Sequence, residues 1–408
     1  MLKNIVIIND RAYISGGAGK VALTSAKLLV KKGLRVILFT AVGPVDPDLI
    51  KHGVEVICLG QNGILQEKNI FKGFIQGLWN NNANECLKEL LERLDPSSTI
   101  IHFHGWSKAL SPAIWNSIIR YQFKFVITMH DYFLLCPNMG LYNYQTRCLC
   151  NCKPSSLFCY LRNCDSRNYL FKLYRSLRGI IQMCQLRKLK GRVNIITISD
   201  TNKKVCYNTL NQFVKKWYTV QNPIDLNSKL IIDASNNKKY LFMARLSPEK
   251  GIDMFCEALS QLNLKGIVLG DGPISQKFKD KYPNIEFCGW LTGTAKDTKI
   301  RECKALIFPS LWYEGAPLTI PEILSYGIPC IVPDKCAASE IIKDGFNGYI
   351  FEIGNLESLI NAINRNENSN IVDIQHNIMN SFEIGKYSYN HHVNSLLNVY
   401  HDMLVSDK

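Results

Sequence analysis

Tyr313-Glu314-Gly315-Ala316-Pro317-Leu318-Thr319-Ile320-Pro321-Glu322, then Ser325-Tyr326-Gly327-Ile328-Pro329 and Cys330-Ile331-Val332, reads as a loop, a short helix and a buried strand in succession. If the helix begins near Leu318, Pro321 falls among the first four positions, whose N–H groups have no intrahelical partner, so neither proline removes a bond. A helix that gives way through glycine to a short apolar run is one half of a parallel-sheet unit. Its N-terminus is left open. Free backbone N–H groups and the positive end of the helix suit a diphosphate, while Glu314 just before and Glu322 one turn in can accept bonds from hydroxyls. Such a site reads a sugar nucleotide.

The same alternation of short apolar runs with amphipathic stretches extends in both directions. In the first half the expected strands are Ile5 to Ile8, Val36 to Thr40, Val54 to Leu59, Ile100 to Phe103, Phe125 to Met129 and Ile195 to Ser199. In the second half they are Tyr240 to Ala244, Gly266 to Leu269, Ile285 to Cys288, Ala305 to Phe308, Cys330 to Val332 and Tyr349 to Phe351. The fold class is therefore α/β, with two doubly wound, Rossmann-like domains facing a cleft. A polar run within 222–239 marks the linker, which places one domain at 1–225 and the other at 235–387. The tail 388–408 carries Val393, Leu396, Leu397 and Tyr400 at helical spacing.

Doubly wound sheets bind ligands beyond the carboxyl ends of their strands. There the first half offers Ser15-Gly16-Gly17-Ala18-Gly19, His102-Phe103-His104-Gly105 and His130-Asp131. The second half offers Arg245 with Lys250, Gly270-Asp271-Gly272-Pro273, Gly289-Trp290 and the segment from Pro309 to Glu322. Arg245 and Lys250 supply two fixed cations for a diphosphate, so no metal is required, and they can stabilise a departing nucleoside diphosphate as charge develops on it.

In motif order and over nearly its full length the chain resembles the group 1 (family 4) retaining glycosyltransferases of the GT-B fold. The specific combination is Glu314 and Glu322 preceded by Arg245, Lys250 and the Gly-Asp-Gly-Pro turn. The resemblance implies that Glu314 contacts the donor sugar near its reacting carbon and that His130 supports transfer. Glu322 would hold the ribose, and Arg245 and Lys250 the diphosphate, beside the backbone of Gly315, Ala316, Pro317 and Leu318. Gly16 and Gly17 would let a loop approach donor and acceptor, Gly289 and Trp290 would lie near the base, and the last helix would cross back onto the first domain. It also implies retention of anomeric configuration, a UDP- or GDP-sugar donor, a saccharide or polyprenyl-diphosphate-linked acceptor, and a setting in bacterial surface polysaccharide assembly. Same-face attack assisted by the leaving phosphate is favoured over a covalent intermediate, because no residue announces itself as a nucleophile. A sugar-nucleotide epimerase or hydrolase would need acids on both sides of the sugar, and no clear pair stands in the first half. A non-catalytic sugar- or nucleic-acid-binding module is disfavoured by the intact Glu314, Glu322, Arg245 and Lys250.

Other motifs resolve less specifically. The Gly17-x-Gly19-x-x-Ala22 run lacks the acidic residue after the second strand that a nicotinamide site uses, and Gly19-Lys20-Val21 lacks the rest of a Walker loop. Asp46-Pro47-Asp48 reads as a turn. His102 and His104 alternate, so both point to one side; without a third ligand, one lines the cleft and one is packed. Cys136, Cys148, Cys152 and Cys159, within a cysteine-rich insertion, form a candidate structural zinc set, to be weighed against reduced thiols in a loop covering the acceptor side.

The net charge of +14 over 408 residues predicts attraction to something anionic. No nucleic-acid motif accompanies it. No acid lies between Asp165 and Asp200, where Leu170, Leu173, Tyr174, Leu177, Ile181 and Cys184 share one helical face among many cations. That helix either packs its apolar side on the first domain or rests on anionic lipid near a membrane-anchored acceptor. The chain has no stretch of membrane-spanning character and its start runs directly into a strand, so a cytoplasmic location, peripheral to the membrane's inner face, is expected.

Overall fold

The computed structural model describes residues 2–225, 231–274 and 276–405. In chain order the strands are β1 (Asn4–Asn9), β2 (Arg35–Thr40), β3 (Glu55–Cys58), β4 (Thr99–Gly105), β5 (Lys124–Thr128), β6 (Tyr142–Asn143), β7 (Cys148–Leu149), β8 (Val193–Thr197) and β9 (Val214–Thr219). After the linker come β10 (Lys239–Met243), β11 (Lys265–Leu269), β12 (Ile285–Gly289), β13 (Cys303–Ile307), β14 (Cys330–Pro333) and β15 (Gly348–Phe351). Two sheets result, ordered β3-β2-β1-β4-β5-β8-β9 and β12-β11-β10-β13-β14-β15, and every pairing within them is parallel. Chain order reverses between β1 and β4 in the first sheet and between β10 and β13 in the second, which opens a crevice at the carboxyl ends of those strands.

The apolar runs are buried because helices cover both faces, so the strands read as continuous rather than alternating patterns. Each expected strand is present. Of the strands in the two parallel sheets one was missed, besides the short antiparallel pair β6 and β7: β9, Val-Lys-Lys-Trp-Tyr-Thr, lies at an open edge with its lysines in solvent, so no apolar run marks it. β4 is also longer than expected, and His102 and His104 lie inside it rather than beyond its end.

The last helix, Tyr389–Val405, does cross onto the first sheet's helical layer. Val393, Leu396, Val399, Tyr400 and Met403 join a core with Ile5, Ile7, Leu23 and Leu29. Polar anchors fix its register: His392 bonds Ser25 at 2.8 Å, and the Tyr400 hydroxyl bonds His102 at 2.6 Å. Lys124 donates to the Met403 and Leu404 carbonyls, two of the acceptors a helix end leaves unpaired. Met1, residues 226–230 of the expected linker and residues 406–408 of the expected tail lie outside the described residues.

Candidate functional site

The second domain supplies most of the site. Arg245 leaves β10 with two thirds of its side chain exposed, and its guanidinium bonds the buried Glu249 carboxylate at 2.5 Å. A single turn, Pro248–Lys250, then presents Lys250, and Gly251 closes it at φ 74°. Gly251 is required there: a Cβ would fall 1.9 Å from the Pro309 carbonyl oxygen. That close approach sets Lys250 against the loop after β13, where its ammonium forms an ion pair with Glu314 and lies 4.7 Å from the Trp312 ring centroid. Ser310 donates to the same Glu314 carboxylate at 3.1 Å. Glu314 is thus held by a cation and a hydroxyl in a mostly buried position.

The following helix is Thr319–Leu324, preceded as expected by Leu318. With six residues its dipole is small, so its anion affinity rests on individual donors rather than on the helix as a whole. Among the described residues the N–H groups of Gly315, Ala316, Leu318 and Thr319 make no intramolecular hydrogen bond. Pro321 occupies the third helical position at no cost in bonds. Glu322 pairs with Lys296 at 2.7 Å, on the helix Gly293–Arg301 that follows β12 and Gly289-Trp290. The two glutamates therefore face different cations, Lys250 for Glu314 and Lys296 for Glu322. The sequence reading missed Lys296 and Glu249. Arg245 and Glu249 are four residues apart, a spacing that signals a pair on one helical turn, whereas nothing local links Lys296 to Glu322.

The first domain closes the other side. A Cβ on Gly17 would stand 3.7 Å from the Leu318 side chain, so the glycine loop and the Pro317-Leu318 segment meet across the crevice. Gly16 caps the helix Gly17–Lys31 at φ 106°, a conformation that L side chains rarely adopt. Ser199 caps the helix Asp200–Leu210 and also donates to the Gly315 carbonyl at 2.5 Å. A cavity of about 300 Å³ lies between these elements, lined by Ser199, Gln221, Asn222, Ala316, Pro317 and Leu318 among others.

His130 follows β5 and bonds His104 at 2.8 Å through its Nε2, with the rings stacked. Its Nδ1 makes no bond among the described residues. His104 packs in turn on His102, both of whose nitrogens are engaged by Tyr400 and Thr128. So His102 is the packed member and His104 the one that positions His130. Burial pushes His130 down to about 3 and His392 down to about 4, and holds His102 and His104 well below the ordinary 6.5. His130 is therefore neutral at physiological pH, a hydrogen-bonding group rather than a cation. Below pH 6.5 these histidines charge in the unfolded chain but not in the folded one, so the unfolded state binds more protons and stability falls as pH drops. Between pH 6 and 5 the loss is up to roughly 1.4 kcal/mol per pH unit for each buried histidine. Thermal unfolding across that range checks this, and His392→Gln should flatten the slope.

One expectation needs correction and one alternative is decided. The set Cys136, Cys148, Cys152 and Cys159 does not assemble: among the described residues no group of three or more His, Cys, Asp or Glu side chains is placed to hold a metal. Cys159 instead receives a bond from the buried Lys172 ammonium at 3.5 Å, Cys148 contacts Thr146, and Cys152 contacts Arg162. Burial pushes the Cys136 thiol up to about 11, which keeps it protonated. Of the two readings of the helix Tyr169–Lys188, the one that packs its apolar side on the first domain does not hold. The helix buries Lys172, Ser176, Arg178, Gln182 and Gln185, with Leu186 of its last turn in the core, and leaves Leu170, Leu173, Leu177 and Ile180 exposed.

Residues 228–381 match the family described as Glycosyl transferases group 1. A UDP-Gal:alpha-D-GlcNAc-diphosphoundecaprenol alpha-1,3-galactosyltransferase of Escherichia coli is 25% identical over 261 residues, which cover 57% of this chain and 66% of that enzyme, just under two thirds of its length. The fold of a glycosyltransferase from Rickettsia africae superposes with a TM-score of 0.67 at 18% identity, covering 99% of both chains. That of Anabaena HepE in complex with UDP and glucose gives 0.68 at 14% identity, covering 98% of this chain and 100% of that one.

Proposed function

We propose that this chain is a group 1 glycosyltransferase of the GT-B fold that moves a hexosyl group from a UDP- or GDP-sugar to a saccharide carried on a lipid diphosphate, with retention and without a metal ion. The observation that carries this reading is the Lys250–Glu314 ion pair beside Arg245 and the unpaired amides after Glu314. An ammonium has three donors, so Lys250 can hold Glu314 and a phosphate oxygen together. Arg245 spends part of its fork on Glu249 and Ser247 and keeps further N–H groups for the diphosphate.

In the proposed step the bond from the anomeric carbon to the diphosphate oxygen breaks, and its electron pair leaves with the phosphate. The acceptor oxygen attacks from the same face and its proton passes to the departing phosphate oxygen. Arg245, Lys250 and the amides of 315–319 stabilise the charge that grows there. Glu314 lies where positive charge develops on the sugar, and neutral His130 supplies a hydrogen bond from the opposite wall. The lipid-linked acceptor draws support from the activity of the Escherichia coli relative, which acts on a diphosphoundecaprenol-linked sugar. The fold neighbour bound to UDP and glucose supports the donor class.

The test is a thermal-shift screen of UDP- and GDP-sugars with and without EDTA, followed by NMR of the anomeric proton in the product. One nucleotide series should raise the melting temperature with EDTA present, and the product should keep the donor's configuration. Glu322→Ala should weaken nucleotide binding by about 1–3 kcal/mol, the worth of hydrogen bonds to a charged group, as read by calorimetry.

A further inference from the structure

The helix Tyr169–Lys188 is inside out. Its polar stripe is buried: Lys172 is fully enclosed, Arg178 donates to the Ser107 carbonyl at 2.6 Å, and Gln182 accepts from the Trp106 indole at 2.8 Å. Its apolar stripe, Leu170, Leu173, Leu177 and Ile180, faces outward at alternating three- and four-residue spacing. Two shorter helices continue that surface. Ile70–Leu78 turns Gly73 and Gly77 inward, packs Phe74 against Tyr174 with ring centroids 4.7 Å apart, and leaves Phe71 81% exposed. Leu157–Leu161 joins through the Tyr169 hydroxyl, which donates to the Tyr160 carbonyl at 3.1 Å, and leaves Phe158 79% exposed.

An exposed apolar surface of this extent on three adjacent helices is unusual for a chain that stays in water. Its border is cationic, with Lys68, Lys72, Lys153, Arg162, Arg167 and Lys188 all exposed. Its acids are withdrawn: Asp165 is fully buried against Arg175, and the largely covered Glu67 faces Lys72. A shallow groove of about 680 Å³ sets Phe158 and Leu161 beside Lys153 and Arg162, an acyl-like and a phosphate-like environment side by side.

We infer that these three helices form one platform that seats on an anionic lipid bilayer, with the apolar side chains among the acyl chains and the border cations at the phosphates. No helix among the described residues is long and apolar enough to cross a membrane, so the platform lies on the bilayer rather than through it. A second copy of the chain fits poorly, because it would bring the same cationic border against itself. The inner face of the central helix reaches Trp106 and Ser107, which line a small cavity with His104 and His130. The platform therefore backs onto the acceptor-side wall. This deepens the proposed lipid-linked acceptor and rests on that reading only for its biological purpose.

The experiment is flotation of the full chain with phosphatidylcholine vesicles, with and without phosphatidylglycerol, in the absence of donor and acceptor. Phosphatidylglycerol should raise the bound fraction by about tenfold or more, and the triple variant Phe71→Ser, Phe158→Ser, Leu170→Ser should lose about as much, with its melting temperature and UDP or GDP binding unchanged. Indifference to phosphatidylglycerol, or a triple variant that floats like the parent, would overturn the inference. So would sedimentation showing a dimer that the same variant dissociates, which would assign the surface to a second copy. Because no nucleotide enters the assay, failure here leaves the donor reading standing, and failure of donor binding leaves this result standing.

Discussion

Glu314→Gln should lower the transfer rate by about two to three orders of magnitude while leaving the affinity for the nucleoside diphosphate within a few-fold. The amide keeps the volume and the Ser310 contact but carries no charge, so positive charge growing at the anomeric carbon meets a neutral group. Lys250 loses its carboxylate partner yet keeps its place over Trp312 and its access to the diphosphate. Rapid-quench kinetics paired with UDP or GDP calorimetry separates the two effects. Normal turnover by this variant would remove Glu314 from the chemistry.

Lys250→Met carries the second large effect, and its signature differs. The substitution removes a diphosphate cation and strands the mostly buried Glu314 carboxylate, so binding and rate suffer together. Losing one partner of a buried pair costs about 3–5 kcal/mol, part of which falls on stability. UDP or GDP affinity should drop by at least about tenfold, and kcat by a further two orders of magnitude. The double variant Glu314→Gln, Lys250→Met should recover part of the lost stability, since no uncompensated charge remains. Chemical denaturation of the four proteins measures that coupling, and strict additivity would show that the ion pair has no part in holding the loop.

Much of the architecture was legible because a sheet covered on both faces gives continuous apolar runs, which need no knowledge of partners. β9 escaped for the converse reason: at an open edge its side chains are half solvated and its pattern is polar. The residues proposed to hold the donor stood out as a set because their types are rare in combination and follow strand ends, and two of them, Lys250 and Glu314, pair in the structure. What the sequence could not carry was pairing at a distance. Glu322 with Lys296 and His104 with His130 arise from loops and strands brought together only in the fold. The helix Tyr169–Lys188 was left undecided for a different reason, since amphipathic spacing identifies two faces but not which one meets the core. The buried Lys172, Arg178 and Gln182 show that polar side chains can sit inward when each makes at least one bond, even though the Arg178 Nε and Gln182 Nε2 find no partner among the described residues.

In the proposed site, Arg245, Lys250 and the amides after Glu314 grip the diphosphate of a sugar nucleotide. Calorimetric titration of the full chain with a nucleoside and with its diphosphate, for uridine and for guanosine, tests it most directly. The diphosphate of one base should bind at least about a hundredfold more tightly than the bare nucleoside, and Arg245→Ala should remove most of that difference. Equal affinity for nucleoside and diphosphate, or an advantage unchanged in Arg245→Ala and Lys250→Met, would contradict it.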